Sequence, residues 1–321
     1  MATTMKAVYY HAPRNFEIRE VPVPQVGDDD VLFKGKTLAH DCYHAMADDV
    51  PHPLIPGHEV VGEVAAFGKN VTSLTKGDRV VADPGVTSLL CENFQGKGVS
   101  ASEPGGFTKK VYKIQNLSDE EATLIEPAPC AIHGMDKLGT AIEALVIGAG
   151  PTGLILAQLL KLNGAQRVVI AANKGIKTDI AKQLDAGHEY VELDRVNPGE
   201  QWENLKQENP YGFDVVVEAT GSEKVANDSI NYVRRGGTLM VYGVYDNSAV
   251  VHWPPSKIFV DEIKIIGSFA QTHCFPRAVA YLDSGKIRVK GMVTDVYSIS
   301  DYQKALDKMN SRGALKIAVR A

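Results

Sequence analysis

The sequence predicts an α/β protein in two parts, a doubly wound parallel sheet in its second half and a small β-barrel ahead of it. Three observations lead there. After residue 143, short β-branched runs alternate with stretches of helical spacing, the pattern of a parallel sheet with helices on both faces. A glycine turn, Gly148-Ala149-Gly150-Pro151-Thr152-Gly153, links the first of those runs to an apolar stretch. The earlier residues form shorter runs broken by Gly and Pro, as in a small barrel. A length of 321 residues suits two domains at ~100–200 residues each.

The elements follow in chain order. Residues 60–68 (VVGEVAAFG) and 79–82 (RVVA) are apolar or alternating runs, separated by the turn signal Lys76-Gly77-Asp78. Residues 144–147 form a short apolar strand, and residues 154–162 an apolar helix that stops at Asn163-Gly164. Residues 167–172 (RVVIAA) give a second strand, 178–184 a helix and 189–193 a third strand. Residues 213–219 (FDVVVEA) are strongly β-branched. Residues 223–233 are expected to be helical, stopping at Gly236-Gly237, with strands at 238–242 and 263–269. Beyond them come a helix at 275–282, a second at 302–309 capped by Ser300, and a strand at 315–319. This tail is expected to return to the first domain. The expected division is therefore 1–142 with 272–321 against 143–271.

The glycine turn has the context that gives such a motif meaning, a strand before it and a helix after it. Gly148 permits the tight turn, Gly150 lets the backbone approach a pyrophosphate, and Gly153 lets helix and strand pack closely. The helix N-terminus then offers N–H donors and positive potential to phosphate. Residues 143–271 are thus read as a Rossmann domain binding a nicotinamide dinucleotide. NAD sites place Asp or Glu about 20 residues on, at the ribose hydroxyls. Here Asn173 stands in that region, followed by Lys174 and Lys177, and no carboxylate comes before Asp179. A cationic pocket without a carboxylate puts NADP ahead of NAD. The alternative is that both lysines are solvated charges on a helix face.

Composition narrows the partners. Apolar residues make up 44% and charged residues 23%, as in ordinary globular proteins. A net charge of -5 argues against nucleic acid and anionic membranes as partners. No apolar run approaches the ~18 residues of a membrane span. The opening MATTMKAVYYHAPRNFEIRE lacks the apolar core of a secretory signal, so a cytoplasmic location with reduced thiols is expected. Cys42, Cys91, Cys130 and Cys274 form no CxxC pair.

The first domain carries a candidate metal set. His58 and Glu59 follow Pro56-Gly57, Cys42 lies upstream and Glu126 downstream. A Cys, His and Glu set leaves one position open on a tetrahedral zinc, as catalytic sites require. Each residue alone has a plainer reading, the Cys as a small apolar side chain and the His and Glu as hydrogen-bonded groups.

Residues 53–59 (PLIPGHE), 76–84 (KGDRVVADP), 90–93 (LCEN) and the glycine turn resemble the zinc-containing medium-chain alcohol and polyol dehydrogenases. The resemblance covers nearly the whole chain. Residues 113–138 and 214–275 are especially similar to the fungal NADP-linked D-arabinitol dehydrogenases. It implies a GroES-like catalytic β-barrel, discontinuous and here shortened, beside the Rossmann domain. It also implies polyol oxidation by NADP at one catalytic zinc, and a homo-oligomer joined through the Rossmann domain. His58 and Glu59 match the family's Gly-His-Glu, and Glu126 the carboxylate ligand of the polyol branch.

Three departures fall in the first domain. The family's Cys-Gly-Thr/Ser-Asp is replaced by Ala39-His40-Asp41-Cys42-Tyr43-His44. Cys42 is the candidate ligand, with Asp41 the alternative if the loop is shifted by one residue. The hydroxyl that begins the family's proton relay is absent. His44 is the candidate replacement as proton acceptor, against a reading of His40 and His44 as exposed polar residues. Glu59 is read as an occasional ligand or as a group orienting the others. The cysteine-rich lobe of the family retains only Cys91, and one thiolate cannot hold a structural zinc. Residues are also missing after Gly105-Gly106-Phe107. Two further readings therefore stand beside the polyol dehydrogenase. One is a zinc-free NADPH-dependent reductase of quinones or enones. The other is a dinucleotide-binding protein whose catalytic domain has eroded.

Overall fold

The computed structural model of the protein describes residues 4–39, 53, 55–84, 110–271 and 273–320. The chain forms two compact units, one of Met1–Pro129 with Thr272–Ala321 and one of Cys130–Gln271. The first crossing thus falls at Pro129–Cys130, ahead of the expected Glu143.

Strands of the first unit are β1 (Thr4–Ala12), β2 (Asn15–Pro22), β3 (Val31–Ala39), β4 (Glu59–Phe67), β5 (Arg79–Ala82) and β6 (Val111–Lys113). A short helix α1 (Asp119–Ala122) follows, closed by a capping box between Ser118 and Glu121. Helix α2 (Ala128–Lys137) leads into the second unit. That unit contains β7 (Glu143–Ile147), α3 (Pro151–Leu162), β8 (Arg167–Asn173), α4 (Ile176–Gln183), β9 (Glu189–Leu193) and α5 (Gly199–Glu208). It continues with β10 (Phe213–Glu218), α6 (Glu223–Ser229), β11 (Val233–Val241), α7 (Pro255–Val260) and β12 (Lys264–Gly267). The chain then re-enters the first unit through α8 (Phe275–Asp283), β13 (Val293–Ser298), α9 (Tyr302–Asn310) and β14 (Lys316–Arg320).

In the second unit a six-stranded sheet has the order β12-β11-β10-β7-β8-β9, and every neighbouring pair is parallel. The chain starts in the middle at β7, runs outward to β9, then crosses back to β10. The order reverses between β7 and β10, where open α/β sheets bind ligands at their carboxyl ends. Consecutive residues of the central strands are fully buried, Leu145 with Val146 and Val216 with Val217 among them. A strand buried at both i and i+1 is covered on both faces, which is why these runs are continuously apolar. Phe213, Leu205, Ile230, Leu239 and Ile263 complete the core on one side.

Two local expectations are corrected. Residues 223–233 do not form one helix: α6 ends at Ser229, a 3-10 turn covers Ile230–Tyr232, and β11 already begins at Val233. Gly236 and Gly237 are inside that strand rather than a helix stop. Its register with β10 jumps from Val233 opposite Phe213 to Thr238 opposite Val215, and Gly236 takes φ +73° in the bulge. The residue at the N-cap of α9 is Asp301, not Ser300, and its side chain does not cap the helix. A 3-10 turn over Ile299–Asp301 intervenes.

In the first unit the tail completes the main sheet, whose order is β13-β14-β3-β4-β5-β6. β14 pairs antiparallel to β3 and parallel to β13. The hairpin β1-β2 is separate in hydrogen bonding but packs Val8 and Tyr10 against Tyr302 and Leu306 of α9. Asp283, at the end of α8, binds the connection between β6 and α1. Its carboxylate accepts from the backbone N–H groups of Gln115 (3.1 Å), Asn116 (2.8 Å) and Leu117 (3.3 Å). A charge-assisted cluster of this kind contributes more than one neutral hydrogen bond. Asp283→Ala is expected to destabilise the first unit by about 1–3 kcal/mol, read as a lowered urea midpoint. An unchanged midpoint means that water replaces the carboxylate at no cost.

Candidate functional site

Three of the sequence-predicted residues meet in the first unit. Gly57, at φ +115°, turns the chain just before His58, and Glu59 opens β4 opposite Ala39 of β3. Glu126 follows the 3-10 turn Thr123–Ile125, whose buried Leu124 and Ile125 anchor it in the core. One ligand atom from each of His58, Glu59 and Glu126 lies within 4.8 Å of the other two. His58 Nε2 is 3.8 Å from Glu126 Oε2. Cys42, Asp41 and His44 lie outside the described residues, as does Cys91.

A residue that sequence reasoning missed completes the electrostatics. Lys316, the first residue of β14, places its ammonium 2.5 Å from both carboxylate oxygens of Glu59. Only Oε1 lies in hydrogen-bond geometry, and the buried Oε2 accepts no hydrogen bond. The two side chains are 11% and 4% exposed, so the pair is desolvated and its charges interact strongly. Burial pushes the Glu126 carboxyl up to about 7, His58 opposing this, Glu59 adding to it, Lys316 opposing and Asp83 adding. A carboxylate disfavoured by burial is one whose charged form a divalent cation restores. Imidazole nitrogen and carboxylate oxygen are both zinc donors. The convergence of imidazole and carboxylate donors fits a zinc ion.

The glycine turn lies at the carboxyl end of β7. Gly148 sits at φ +114°, and a Cβ there would lie 2.9 Å from Ala219 O. Gly153 lies in the first turn of α3, where a Cβ would be 2.7 Å from Gly148 O. Gly150 is different. It is the N-cap of α3 with φ −71°, an ordinary conformation, and a Cβ would meet nothing within 4 Å. The space beside it is open, as a residue that faces a ligand requires. Pro151 occupies the first helical position, where its missing N–H costs no hydrogen bond.

Asn173 ends β8, and both it and Lys174 are exposed. Lys174 donates its backbone N–H to Leu193 O, and Lys177 lies in the first turn of α4. The neighbourhood does contain a carboxylate that linear spacing conceals. Glu192 of β9 stands opposite Ala172, accepts from Thr178 Oγ1 at 3.2 Å and pairs with Lys182 at 2.8 Å. That pairing, first, and Lys174 more weakly hold the Glu192 carboxyl below the usual range. Its charge is therefore already matched by lysine.

Comparison with known proteins places this geometry. The alcohol dehydrogenase GroES-like domain family matches residues 27–116, and the zinc-binding dehydrogenase family matches residues 151–284. D-arabinitol dehydrogenase 1 of Uromyces fabae is 56% identical over 340 aligned positions, which take in 98% of this chain and 97% of that protein. Sorbitol dehydrogenase of Bacillus subtilis is 30% identical, covering 95% of this chain and 93% of its own. Among solved structures, a zinc-binding dehydrogenase from Sinorhizobium meliloti bound to NADP superposes with TM-score 0.85 at 24% identity, each chain covered in full. 2R,3R-butanediol dehydrogenase from Bacillus subtilis does so with TM-score 0.82 at 21% identity, over 98% of this chain and 99% of that one. From the identity along nearly its whole length and the two family matches, the chain belongs to the zinc-containing medium-chain alcohol and polyol dehydrogenases.

Proposed function

We propose that the protein is a zinc-assisted, NADP-linked polyol dehydrogenase whose substrate pair is D-arabinitol and its ketopentose. The observation that carries the reading is the convergence of His58, Glu59 and Glu126 on one point. The choice of substrate rests on the similarity to the Uromyces fabae protein. When bound, zinc supplies Lewis acidity toward an alcohol oxygen and the nicotinamide accepts hydride.

The chain's own residues supply the rest. His58 and Glu126 hold the metal, with Cys42 as third ligand. Glu59, anchored by Lys316, orients the set or exchanges into it. His44 accepts the alcohol proton. Gly148 and Gly153 shape the turn, and Gly150 leaves room for the pyrophosphate at the N-terminus of α3. Neutral Asn173 tolerates the extra phosphate of NADP, and Lys174 and Lys177 attract it. The working protein is a cytoplasmic homo-oligomer. Support for association is the outer edge of the second sheet, where β12 is the terminal strand and Phe259, Val260 and Phe269 are exposed, a combination that invites pairing with a second copy.

A second reading has one observation in its favour. The alignment with the Uromyces fabae protein spans 340 positions against 321 residues here, so that relative carries segments this chain lacks. The second reading is a dinucleotide-binding protein with a reduced catalytic domain.

Metal analysis of the purified protein, run beside NADP-dependent oxidation of a polyol panel, separates the two. The expected result is at most one zinc per chain and turnover of D-arabinitol, both lost in His58→Ala and in Cys42→Ala but kept in Asp41→Ala. Damage from Asp41→Ala instead means that the loop register is the shifted one. Protein that binds NADPH but neither zinc nor polyol establishes the second reading.

For the cofactor, NADP is expected to bind ~10–100-fold more tightly than NAD, the worth of a charged hydrogen bond to phosphate. Asn173→Asp should reverse the preference, and equal titration curves for the unaltered protein would sink the assignment.

The glycines are expected to fail differently. Gly150→Val should keep its melting temperature and lose dinucleotide binding. Gly148→Ala should lower the melting temperature, because the left-handed backbone and the Ala219 carbonyl leave no room for a Cβ. A Gly150→Val protein that binds NADPH normally contradicts the assigned role.

A further inference from the structure

The last residue of β10 is a glutamate buried to 1% exposure, in a position that a parallel strand normally fills with an apolar side chain. Glu218 lies between the ends of two neighbours, opposite Ile147 of β7 and Val241 of β11. Four donors converge on its carboxylate. Oε1 accepts from Thr220 N (2.8 Å) and from the Thr220 hydroxyl. Oε2 accepts from Gly221 N (3.3 Å) and from the Tyr245 hydroxyl. The backbone carbonyl of the same residue accepts from Tyr242 N (2.9 Å) and Gly243 N (2.8 Å). One side chain and its own carbonyl therefore tie the turn after β10 to the turn after β11.

The two turns are also in close backbone contact, with no room for a Cβ between them. A Cβ on Gly221 would lie 2.1 Å from Val244 O, and one on Gly243 would lie 2.3 Å from Gly221 N and 2.7 Å from Glu218 Oε2. The tied turn is the surface against which the glycine loop rests. A Cβ on Gly148 would be 2.9 Å from Ala219 O and 3.1 Å from Thr220 Cγ2, and one on Gly153 would be 3.6 Å from Ala219 Cβ. Ala219 N also donates to Ile147 O at 2.9 Å. The path runs from Tyr245 through Glu218 to Thr220 and on to Gly148.

Only an ionised carboxylate can accept from four donors at two oxygens; an amide offers one oxygen and turns its N–H groups on the remaining donors. That explains Glu rather than Gln in an apolar strand. The phenol of Tyr245 is pushed up by burial and by the Glu218 carboxylate, so it stays a donor through the working pH range.

We propose that Glu218, held by Tyr245, is a positioning residue for the dinucleotide: it locks the turns after β10 and β11 into one wall and thereby sets the glycine loop in its binding shape. The inference rests on the dinucleotide reading of the Gly148–Gly153 loop.

Titrating NADPH by its fluorescence against the unaltered protein, Tyr245→Phe and Glu218→Gln tests it, with thermal unfolding and separate KM and kcat measured alongside. Tyr245→Phe is expected to weaken NADPH about fivefold and Glu218→Gln tenfold or more, the ranges for a neutral and a charged hydrogen bond. KM for NADP should rise with them, while polyol KM at saturating cofactor and kcat stay within about twofold of the unaltered values. A purely structural role lowers the melting temperature and leaves NADPH affinity unchanged well below it; that result overturns the inference. Should Glu218→Gln fail to fold, Tyr245→Phe decides, because it leaves the carboxylate three donors. No NADPH binding by the unaltered protein overturns the dinucleotide reading and this inference together. Unchanged affinity in the variants beside normal binding by the unaltered protein overturns this inference alone.

Discussion

A parallel sheet covered on both faces is the constraint on which the second unit depends. Such a sheet offers water neither face, so its polar chemistry is confined to the strand ends. Leu145, Val146, Val169, Ile170, Val216 and Val217 are each fully buried, and none of them can carry a reactive group. Gly148, Asn173, Glu218 and Tyr242 all follow or end such strands at the carboxyl side. The proposed dinucleotide site, the proposed NADP preference and the proposed positioning role of Glu218 are therefore three uses of one edge.

The first unit solves the same problem differently. Its sheet is mostly antiparallel, with β3 to β6 consecutive in the chain and the late strand β14 joined to β3. β3 and β4 place Glu59, while β14 places Lys316, 257 residues later. Glu126 reaches them from a 3-10 turn rather than from a strand. A half-buried carboxylate, a buried ion pair and an imidazole in one small volume are costly to desolvate. Their assembly at the mouth of β4 is difficult to explain as packing alone.

Legibility in the sequence follows the range of the interactions. The buried strands read clearly, because a doubly covered strand must be an unbroken apolar run. The glycine loop reads clearly because its constraint is local, a positive φ at Gly148 and a close contact at Gly153. His58 and Glu126 are legible through their resemblance to a known ligand pattern and through little else. Lys316 is hidden because nothing local marks a lysine at a strand start as buried. Glu192 is hidden because its nearness to Asn173 comes from the register of β8 with β9, which linear spacing does not express. Gly236-Gly237 misleads for a related reason. A glycine pair ends helices and permits bulges equally well, and only pairing with β10 decides between them. Glu218 looks like an ordinary polar residue at a strand end until Tyr245 and Thr220 are seen around it.

The interleaving of the two units has a consequence for biosynthesis. During translation the second unit is complete once Gln271 has left the ribosome, and all six of its strands are contiguous in the chain. The first unit at that moment has β1 to β6 but lacks both β13 and β14, which lie beyond residue 290. The edge of β3 that will bind β14 is open, and Glu59 has no lysine to match its charge. The unit synthesised first is thus finished last, and an unpaired strand edge is exposed for the time needed to make the remaining residues, seconds at ~5–20 residues per second. Nascent chains of this protein are most vulnerable to sticking together in that interval, and truncation near the C-terminus would make the exposure permanent.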